Sequence, residues 1–106
     1  MPEIKRGDIY WANLNPTIGS EINKIRPVVI LSLTPINKAR NTVIVAPLST
    51  SAPEIKHINV KLTAGNIARC DQIRTLDKSR LSKKIGSMHT KDITLIIDNI
   101  KYIIGF

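Results

Sequence analysis

The sequence predicts a mainly β protein that ends in one α-helix, with its short strands forming a small barrel or a curled sheet. Short apolar runs separated by turn residues recur along most of the 106-residue chain, which is typical of small barrels. Near the end, the isoleucines change to a helical period. The length suits a single domain over residues 1–106, and a chain of this size buries a core without disulfides.

Three apolar runs in the first half of the chain predict strands. The first is residues 9–14, and a loop containing proline and glycine follows it. The second, residues 27–33 (PVVILSL), is apolar enough to be buried on both faces. Its proline fits at the first residue, where a missing N–H is tolerated. The third strand is residues 42–48 (TVIVAPL), after a polar connection with room for a helical turn.

The second half predicts three more strands and the helix. Residues 57–62 (HINVKL) alternate and indicate a half-exposed strand, residues 67–75 form a fifth strand, and residues 83–88 form a sixth. We expect Thr90 to cap the helix and Gly105 to end it. The isoleucines that define its core-facing stripe are Ile93, Ile96, Ile97, Ile100, Ile103 and Ile104.

The charge balance indicates an anionic partner. Sixteen Lys and Arg oppose eight Asp and Glu, which gives a net charge of +8, and such a field attracts phosphate backbones or acidic proteins. Aromatic residues make up only 4% of the chain, so phosphate contacts and polar groups must carry most of any RNA binding. The single cysteine, Cys70, the polar start and the lack of a membrane-length apolar stretch predict a cytoplasmic protein.

Several site classes have no support in the sequence. The histidines, His57 and His89, are far apart and Cys70 is alone, so a zinc site is not expected. A glycine-rich phosphate loop and a Gly-x-Ser-x-Gly elbow are both missing from the sequence. We therefore expect no metal and no cofactor.

Polar residues instead follow or precede the apolar strands. Glu21, Lys24 and Arg26 precede the second strand, Ser49 and Thr50 follow the third, and Arg69, Asp71, Gln72 and Arg74 lie in or at the end of the fifth. RNA cleavage needs a base for the 2′-hydroxyl, donors for the phosphate and a proton for the 5′-oxygen, which carboxylates, arginines and hydroxyls supply. The same spacing also fits a surface ion pair between Arg69 and Asp71 on one strand face.

Three blocks of sequence match a known family in order. The first comprises residues 6–10 (RGDIY), 14–17 (LNPT), 19–21 (GSE) and 26–30 (RPVVI), the second residues 43–48 (VIVAPL), and the third residues 70–81 (CDQIRTLDKSRL). In these blocks the chain resembles the MazF/PemK (Kid) toxins of toxin–antitoxin modules. The resemblance implies an SH3-like barrel of the MazF/Kid/CcdB type and a homodimer. It also implies cleavage of single-stranded RNA to 2′,3′-cyclic phosphate and 5′-hydroxyl ends, and a cognate antitoxin whose acidic tail covers the site.

By position, the resemblance assigns the catalytic roles to Arg26, Ser49 and Glu21. The hydroxyl after the third strand is threonine in MazF-like members; Ser49 aligns without a gap, and Thr50 requires a one-residue shift. Kid-like members imply an alternative catalytic pair, Arg69 and Asp71, although the histidine that joins them falls at Ser20 here. The residues expected to contact RNA are Asn15, Thr17, Ser20, Lys24, Thr50, Lys56 and Gln72.

Two other functions stay open at this point. A CcdB-like protein would use the same barrel to bind gyrase rather than to cut RNA, and the polar cluster around Arg26 argues against it. A catalytically decayed homologue would bind the antitoxin and cut nothing, and Ser49 at the threonine position is the one feature that suggests it.

Overall fold

The computed structural model describes residues 3–21 and 24–106. In this part of the chain an antiparallel sheet is followed by a C-terminal helix. The strands are β1 (Asp8–Asn13), β2 (Ile25–Ile30), β3 (Thr42–Ser49), β4 (Asn59–Lys61), β5 (Ile67–Arg69), β6 (Arg74–Asp77) and β7 (Leu81–Ser87). The helices are α1 (Thr34–Ala39) and α2 (Thr90–Ile104), and two short 3-10 turns, Cys70–Gln72 and Lys78–Arg80, flank β6.

Strand β3 is the centre of the sheet. Strand β2 pairs with β3 along one edge, with Val28 opposite Pro47. Along the other edge, β6 pairs with residues 42–45 and β5 pairs with Leu48 and Ser49. Strand β1 continues the sheet between β2 and β7. This arrangement is an open, barrel-like sheet, and it confirms the predicted mainly β fold with a C-terminal helix.

The predicted fifth strand, residues 67–75, was wrong in one respect, because the structure breaks it into β5 and β6. Residues Cys70–Gln72 form a 3-10 turn between them. The turn lets the chain leave the last residues of β3 and pair again with its first residues. The side chain of Cys70 is buried there, so the turn is fixed to the core.

The core lies on both sides of β2, as its apolar run predicts. Val28 and Ile30 face the cluster inside the curled sheet, whereas Val29 and Leu31 face the cluster under α2. The strand begins at Ile25 rather than at Pro27, because its first residues pair with β1 before pairing with β3 starts. Alternation thus gives β2 two buried faces.

Helix α2 packs its first three turns on the sheet. Ile93, Ile96 and Ile100 are buried, but Ile103 and Ile104 are 38% and 62% exposed. The predicted stripe was therefore wrong for its last two members, since the helix extends beyond the sheet surface that covers it. Gly105 ends the helix in the left-handed conformation, with φ of 91°, as expected of a C-terminal glycine.

The start of α2 differs from the prediction that Thr90 caps it. His89 is the N-cap, and its Nδ1 accepts a hydrogen bond from the backbone N–H of Lys91 at 3.1 Å. In the first turn, Asp92 is buried and accepts from the backbone N–H and the hydroxyl of Thr63 at 2.9 and 2.8 Å. Burial alone raises the pKa of Asp92, but these bonds, a backbone hydrogen bond from Ala64 and the charge of His89 together lower the pKa below its usual range.

We expect Asp92→Asn to lower the free energy of unfolding by about 1–2 kcal/mol at pH 7, because the amide accepts hydrogen bonds without the charge. The carboxylate stabilises the fold above its unfolded pKa, and this contribution is lost as the pH falls through the lowered folded pKa. The difference between the variant and the wild type therefore shrinks as the pH falls through the lowered folded pKa. Urea unfolding of both proteins over a series of pH values from 7 downwards tests this, and a difference that is independent of pH contradicts it.

Within the described residues, neither helix combines the length and the apolar character that crossing a membrane requires.

Candidate functional site

Two surface depressions contain most of the sequence-predicted site residues. We call the first the Arg26 depression; its volume is about 340 Å³. It is lined by Trp11, Lys24, Ile25, Arg26, Pro27, Leu48, Ser49, Thr50 and Ser51. We call the second the Glu21 depression; its volume is also about 340 Å³. It is lined by Glu21, Pro47, Asp71, Gln72, Ile73 and Arg74.

The pairing of β2 with β3 builds the Arg26 depression. Val28 lies opposite Pro47, so Arg26, two residues before Val28, and Ser49, two residues after Pro47, reach the same end of the two strands. Arg26 is half-buried and lies opposite Ala12 of β1. The described lining residues include two cations, Lys24 and Arg26, and no carboxylate. Such a surface suits a phosphate group.

The hydroxyl of Ser49 is held by the turn that follows β3. The side chain is buried, and its Oγ accepts backbone hydrogen bonds from Ser51 at 3.2 Å and Ala52 at 3.1 Å. Its own O–H remains a donor. Thr50 is exposed on the same depression. Ser49 therefore shapes the turn, and both hydroxyls line the site beside Arg26.

The Glu21 depression brings together three chain segments. Glu21 comes from the segment before β2, Pro47 from β3, and residues 71–74 from the 3-10 turn between β5 and β6 and the start of β6. The Oε1 atom of Glu21 accepts the backbone N–H of Ile18 at 2.7 Å, which closes a turn on itself. The structure thus places Glu21 beside Asp71, and not among the residues that line the Arg26 depression.

The alternative pair, Arg69 and Asp71, is not assembled as the sequence suggests. Asp71 lies in the 3-10 turn after β5, so the two residues do not share the face of one strand. No ion pair between Arg69 and Asp71 is found among the residues that the structure describes. Arg69 lines neither depression, and its Nε is buried without a hydrogen-bond partner.

The residues predicted to contact RNA fall in different places. Lys24 and Thr50 line the Arg26 depression, and Gln72 lines the Glu21 depression. Asn15, Thr17 and Ser20 lie on the segment between β1 and β2, where the Asn15 side chain accepts the backbone N–H of Lys24 at 3.1 Å. Lys56 lines a separate depression beside α2, so it is not grouped with the others.

Sequence reasoning missed Trp11 and gave Arg74 no role in the site. Trp11 is 39% exposed on the Arg26 depression, where its ring is available for stacking on a base. Alternation along β1 was a sufficient signal, since Tyr10, Ala12 and Leu14 face the core. The Nη1 of Arg74 donates to the carbonyl of Leu14 at 3.0 Å, beside Glu21.

Cys70 is not a candidate nucleophile. Burial, with a smaller effect of the Asp71 charge, raises the pKa of its thiol to about 11, so the thiolate is scarce at neutral pH. Over residues 3–21 and 24–106, no group of three or more His, Cys, Asp or Glu side chains is placed to hold a metal ion.

Comparison with known families decides which proteins this chain resembles. Residues 5–104 match the family model described as a PemK-like, MazF-like toxin of type II toxin–antitoxin systems. The chain belongs to this toxin family. The family resemblance inferred from the three sequence blocks is thereby confirmed.

Curated relatives of this toxin carry the name Endoribonuclease MazF. That of Staphylococcus saprophyticus is 36% identical over 110 residues, which cover 96% of this chain and 92% of the relative. That of Staphylococcus epidermidis is 41% identical over 90 residues, which cover 77% of this chain and 75% of the relative.

Solved structures confirm the fold of this toxin. The crystal structure of MazF from Deinococcus radiodurans superposes with a TM-score of 0.85 at 20% identity, covering 97% of both chains. A mycobacterial endoribonuclease in complex with its cognate antitoxin superposes with a TM-score of 0.80 at 20% identity, covering 97% of this chain and 96% of the other.

Proposed function

We propose that this toxin is an endoribonuclease that cuts single-stranded RNA to 2′,3′-cyclic phosphate and 5′-hydroxyl ends without a metal. The observation that carries the proposal is the Arg26 depression, where Arg26, Lys24 and the hydroxyls of Ser49 and Thr50 lie at the ends of two paired strands. The names of its curated relatives support the same activity.

In this proposal, Arg26 binds the scissile phosphate. A guanidinium donates two parallel N–H bonds to phosphate oxygens and stabilises the charge of the pentavalent transition state. Lys24 adds a second positive charge in the same depression, and the hydroxyls of Ser49 and Thr50 add donors. The exposed ring of Trp11 stacks on a neighbouring base.

Proton transfer completes the reaction. The 2′-oxygen attacks phosphorus as a base takes its proton, the bond from phosphorus to the 5′-oxygen breaks, and a proton is added to that oxygen. Glu21 is our candidate base, and Asp71 in the same depression is the alternative. Pro47 lines the Glu21 depression, and Leu48 and Ser49 line the Arg26 depression. An RNA strand crossing β3 at this point therefore contacts both.

The two hydroxyls are separable by mutation. We expect Thr50→Val to lower the cleavage rate by about tenfold and leave stability nearly unchanged, because Thr50 is exposed. We expect Ser49→Ala to lower both the rate and the melting temperature, since its Oγ also accepts two backbone N–H groups. Cleavage rates and thermal melts of the two variants check this. A Ser49→Ala protein that melts with the wild type contradicts it.

We also propose that this toxin is a homodimer inhibited by an antitoxin with an acidic tail. The net charge of +8 favours an acidic inhibitor over the same surface that binds RNA. Among the structural neighbours, MazE–MazF of Deinococcus radiodurans and the mycobacterial endoribonuclease are complexes with an antitoxin. The residues predicted to contact RNA, Asn15, Thr17, Ser20, Lys24, Thr50 and Gln72, are candidates for competition by that tail; Lys56 lines a separate depression.

A cleavage assay with a long unstructured RNA in excess EDTA tests the proposed function. We expect discrete fragments whose 5′ ends are hydroxyl groups, so that polynucleotide kinase labels them without prior phosphatase treatment. Intact RNA from folded protein would contradict the proposal and support the decayed homologue. Intact RNA together with inhibition of gyrase supercoiling would support the CcdB-like function.

A further inference from the structure

Two arginines donate hydrogen bonds to the backbone at the start of the segment that carries Glu21. Arg80 donates through Nη1 to the carbonyl of Asn13 at 3.2 Å and also to the carbonyl of Asn15. Arg74 donates through Nη1 to the carbonyl of Leu14, between these two, at 3.0 Å. Three consecutive carbonyl groups at the end of β1 are thus held by guanidinium groups from the region around β6.

The 3-10 turn that presents Arg80 is itself fixed in place. Asp77 accepts the backbone N–H of Ser79 at 2.9 Å, and hydrogen bonds from the side chain and backbone of Ser79 lower the pKa of Asp77 below its usual range. The backbone N–H of Lys78 donates to the carbonyl of Asn41 at 2.9 Å. Arg80 therefore belongs to a turn whose backbone is hydrogen-bonded to the residue before β3, which restricts where its side chain can reach.

The three carbonyl groups that these arginines bind mark the point from which residues 15–21 extend. Leu14 also donates its N–H to the carbonyl of Lys24 at 3.0 Å, and the Asn15 side chain accepts the N–H of Lys24. Further along, the turn between Ile18 and Glu21 is closed by hydrogen bonds between these two residues. The position of Glu21 in the Glu21 depression thus depends on how the carbonyl groups of residues 13–15 are held.

We propose that Arg80 is a positioning residue that fixes residues 15–21 in the conformation that binds RNA, and thereby sets RNA affinity and the choice of cleavage sites. This inference rests on the proposed ribonuclease function. Arg80 lines neither the Arg26 nor the Glu21 depression. It lies instead in a third depression with Asn13, Asn15 and Ser82, so it acts through the segment and not on the scissile phosphate.

Because Arg80 acts through the segment, its loss is expected to change KM rather than kcat. Without Arg80, the segment samples other conformations, and the apparent affinity falls with the fraction that remains competent. Saturating RNA restores the bound conformation. We therefore expect Arg80→Met to raise KM about tenfold with kcat within about threefold of the wild type. We also expect the relative yields of the fragments from a long RNA to change.

The experiment compares Arg80→Met, Arg80→Lys and Arg40→Met with the wild type. Arg40 is exposed and follows α1, so Arg40→Met is a control for the lost charge. Hydrogen exchange of the peptide that covers residues 13–21 is measured without RNA, and steady-state cleavage is measured with a single-site RNA. We expect exchange in this peptide to be about tenfold faster in Arg80→Met, intermediate in Arg80→Lys and unchanged in Arg40→Met.

Hydrogen exchange without RNA and steady-state cleavage together separate the failure of this inference from the failure of the proposed function. Unchanged exchange at residues 13–21 in Arg80→Met overturns the inference, even if RNA is cut. Faster exchange with wild-type KM and wild-type fragment yields overturns it as well. A wild type that cuts no RNA overturns the inference along with the proposed function, whereas the exchange result still shows whether Arg80 holds the segment. If Arg80→Met does not fold, Arg80→Lys is judged by the same outcomes.

Discussion

We expect replacement of Arg26 with alanine to lower the cleavage rate at saturating RNA by about 10²–10³-fold, the usual loss when one preorganised donor to a transition-state charge is removed. Arg26 lies near the start of β2, where pairing with Ala12 of β1 fixes its backbone, and the pairing of Val28 with Pro47 brings it beside Ser49 and Thr50. An alanine leaves this depression with Lys24 as its one described cation. The rate is measured with a single-site RNA at a concentration well above KM.

Two further variants make this result specific. Arg26→Lys keeps the charge but loses the parallel pair of donors, and we expect a loss between those of alanine and wild type. Arg40→Ala removes the same charge from an exposed position after α1 and is expected to cut RNA like the wild type. A folded Arg26→Ala protein with at least a tenth of wild-type activity would show that the phosphate is bound elsewhere, and the pair Arg69 and Asp71 would be tested next.

We expect replacement of Asn37 with alanine to lower the free energy of unfolding by about 3 kcal/mol, because it leaves several buried polar groups without partners. Asn37 is 1% exposed, and its Nδ2 donates to the carbonyl groups of Ile4 and Ser32 at 3.1 and 3.0 Å. Its Oδ1 accepts from the hydroxyl of Ser32, and that hydroxyl accepts the backbone N–H of Ile44 at 3.0 Å. One amide therefore joins the N-terminal segment, α1 and β3.

For a domain of this size, the loss corresponds to a melting temperature lower by about 15 °C. Thermal and urea unfolding of the purified variant measure it. Asn41→Ala is the matched control, because Asn41 is exposed, and we expect its stability to stay within about 0.5 kcal/mol of the wild type. If Asn37→Ala and Asn41→Ala melted together, the network around Ser32 would not stabilise the fold.

The periodic features were predictable because they depend only on neighbouring residues. The apolar run after Pro27 predicted a strand buried on both faces, and the structure places Val28 and Val29 in opposite core clusters. The isoleucine period predicted α2, and Gly105 ends it as expected.

The site was predictable in its residue types but not in its grouping. Sequence order places Glu21 and Arg26 near each other before β2, whereas the structure puts them in different depressions. Trp11 lines the same depression as Arg26 because β1 pairs with β2, whereas Lys56 lines a different depression together with Leu95 and Asn99 of α2. These neighbours come from distant parts of the chain, and no local pattern specifies them.

The sequence by itself determined the fold class, the toxin family and the chemical nature of the candidate site, because periodicity, capping residues and motif order are properties of the linear chain. The tertiary structure alone decided the break at Cys70–Gln72, the exposure of Ile104 and the grip of Arg80 on the carbonyl of Asn13. The break and the Arg80 hydrogen bonds depend on which strands pair along β3 and β1, and the exposure of Ile104 depends on where the sheet surface under α2 ends. Strands that are distant in sequence pair in the register that buries the apolar faces of the whole core, and no local pattern specifies that register.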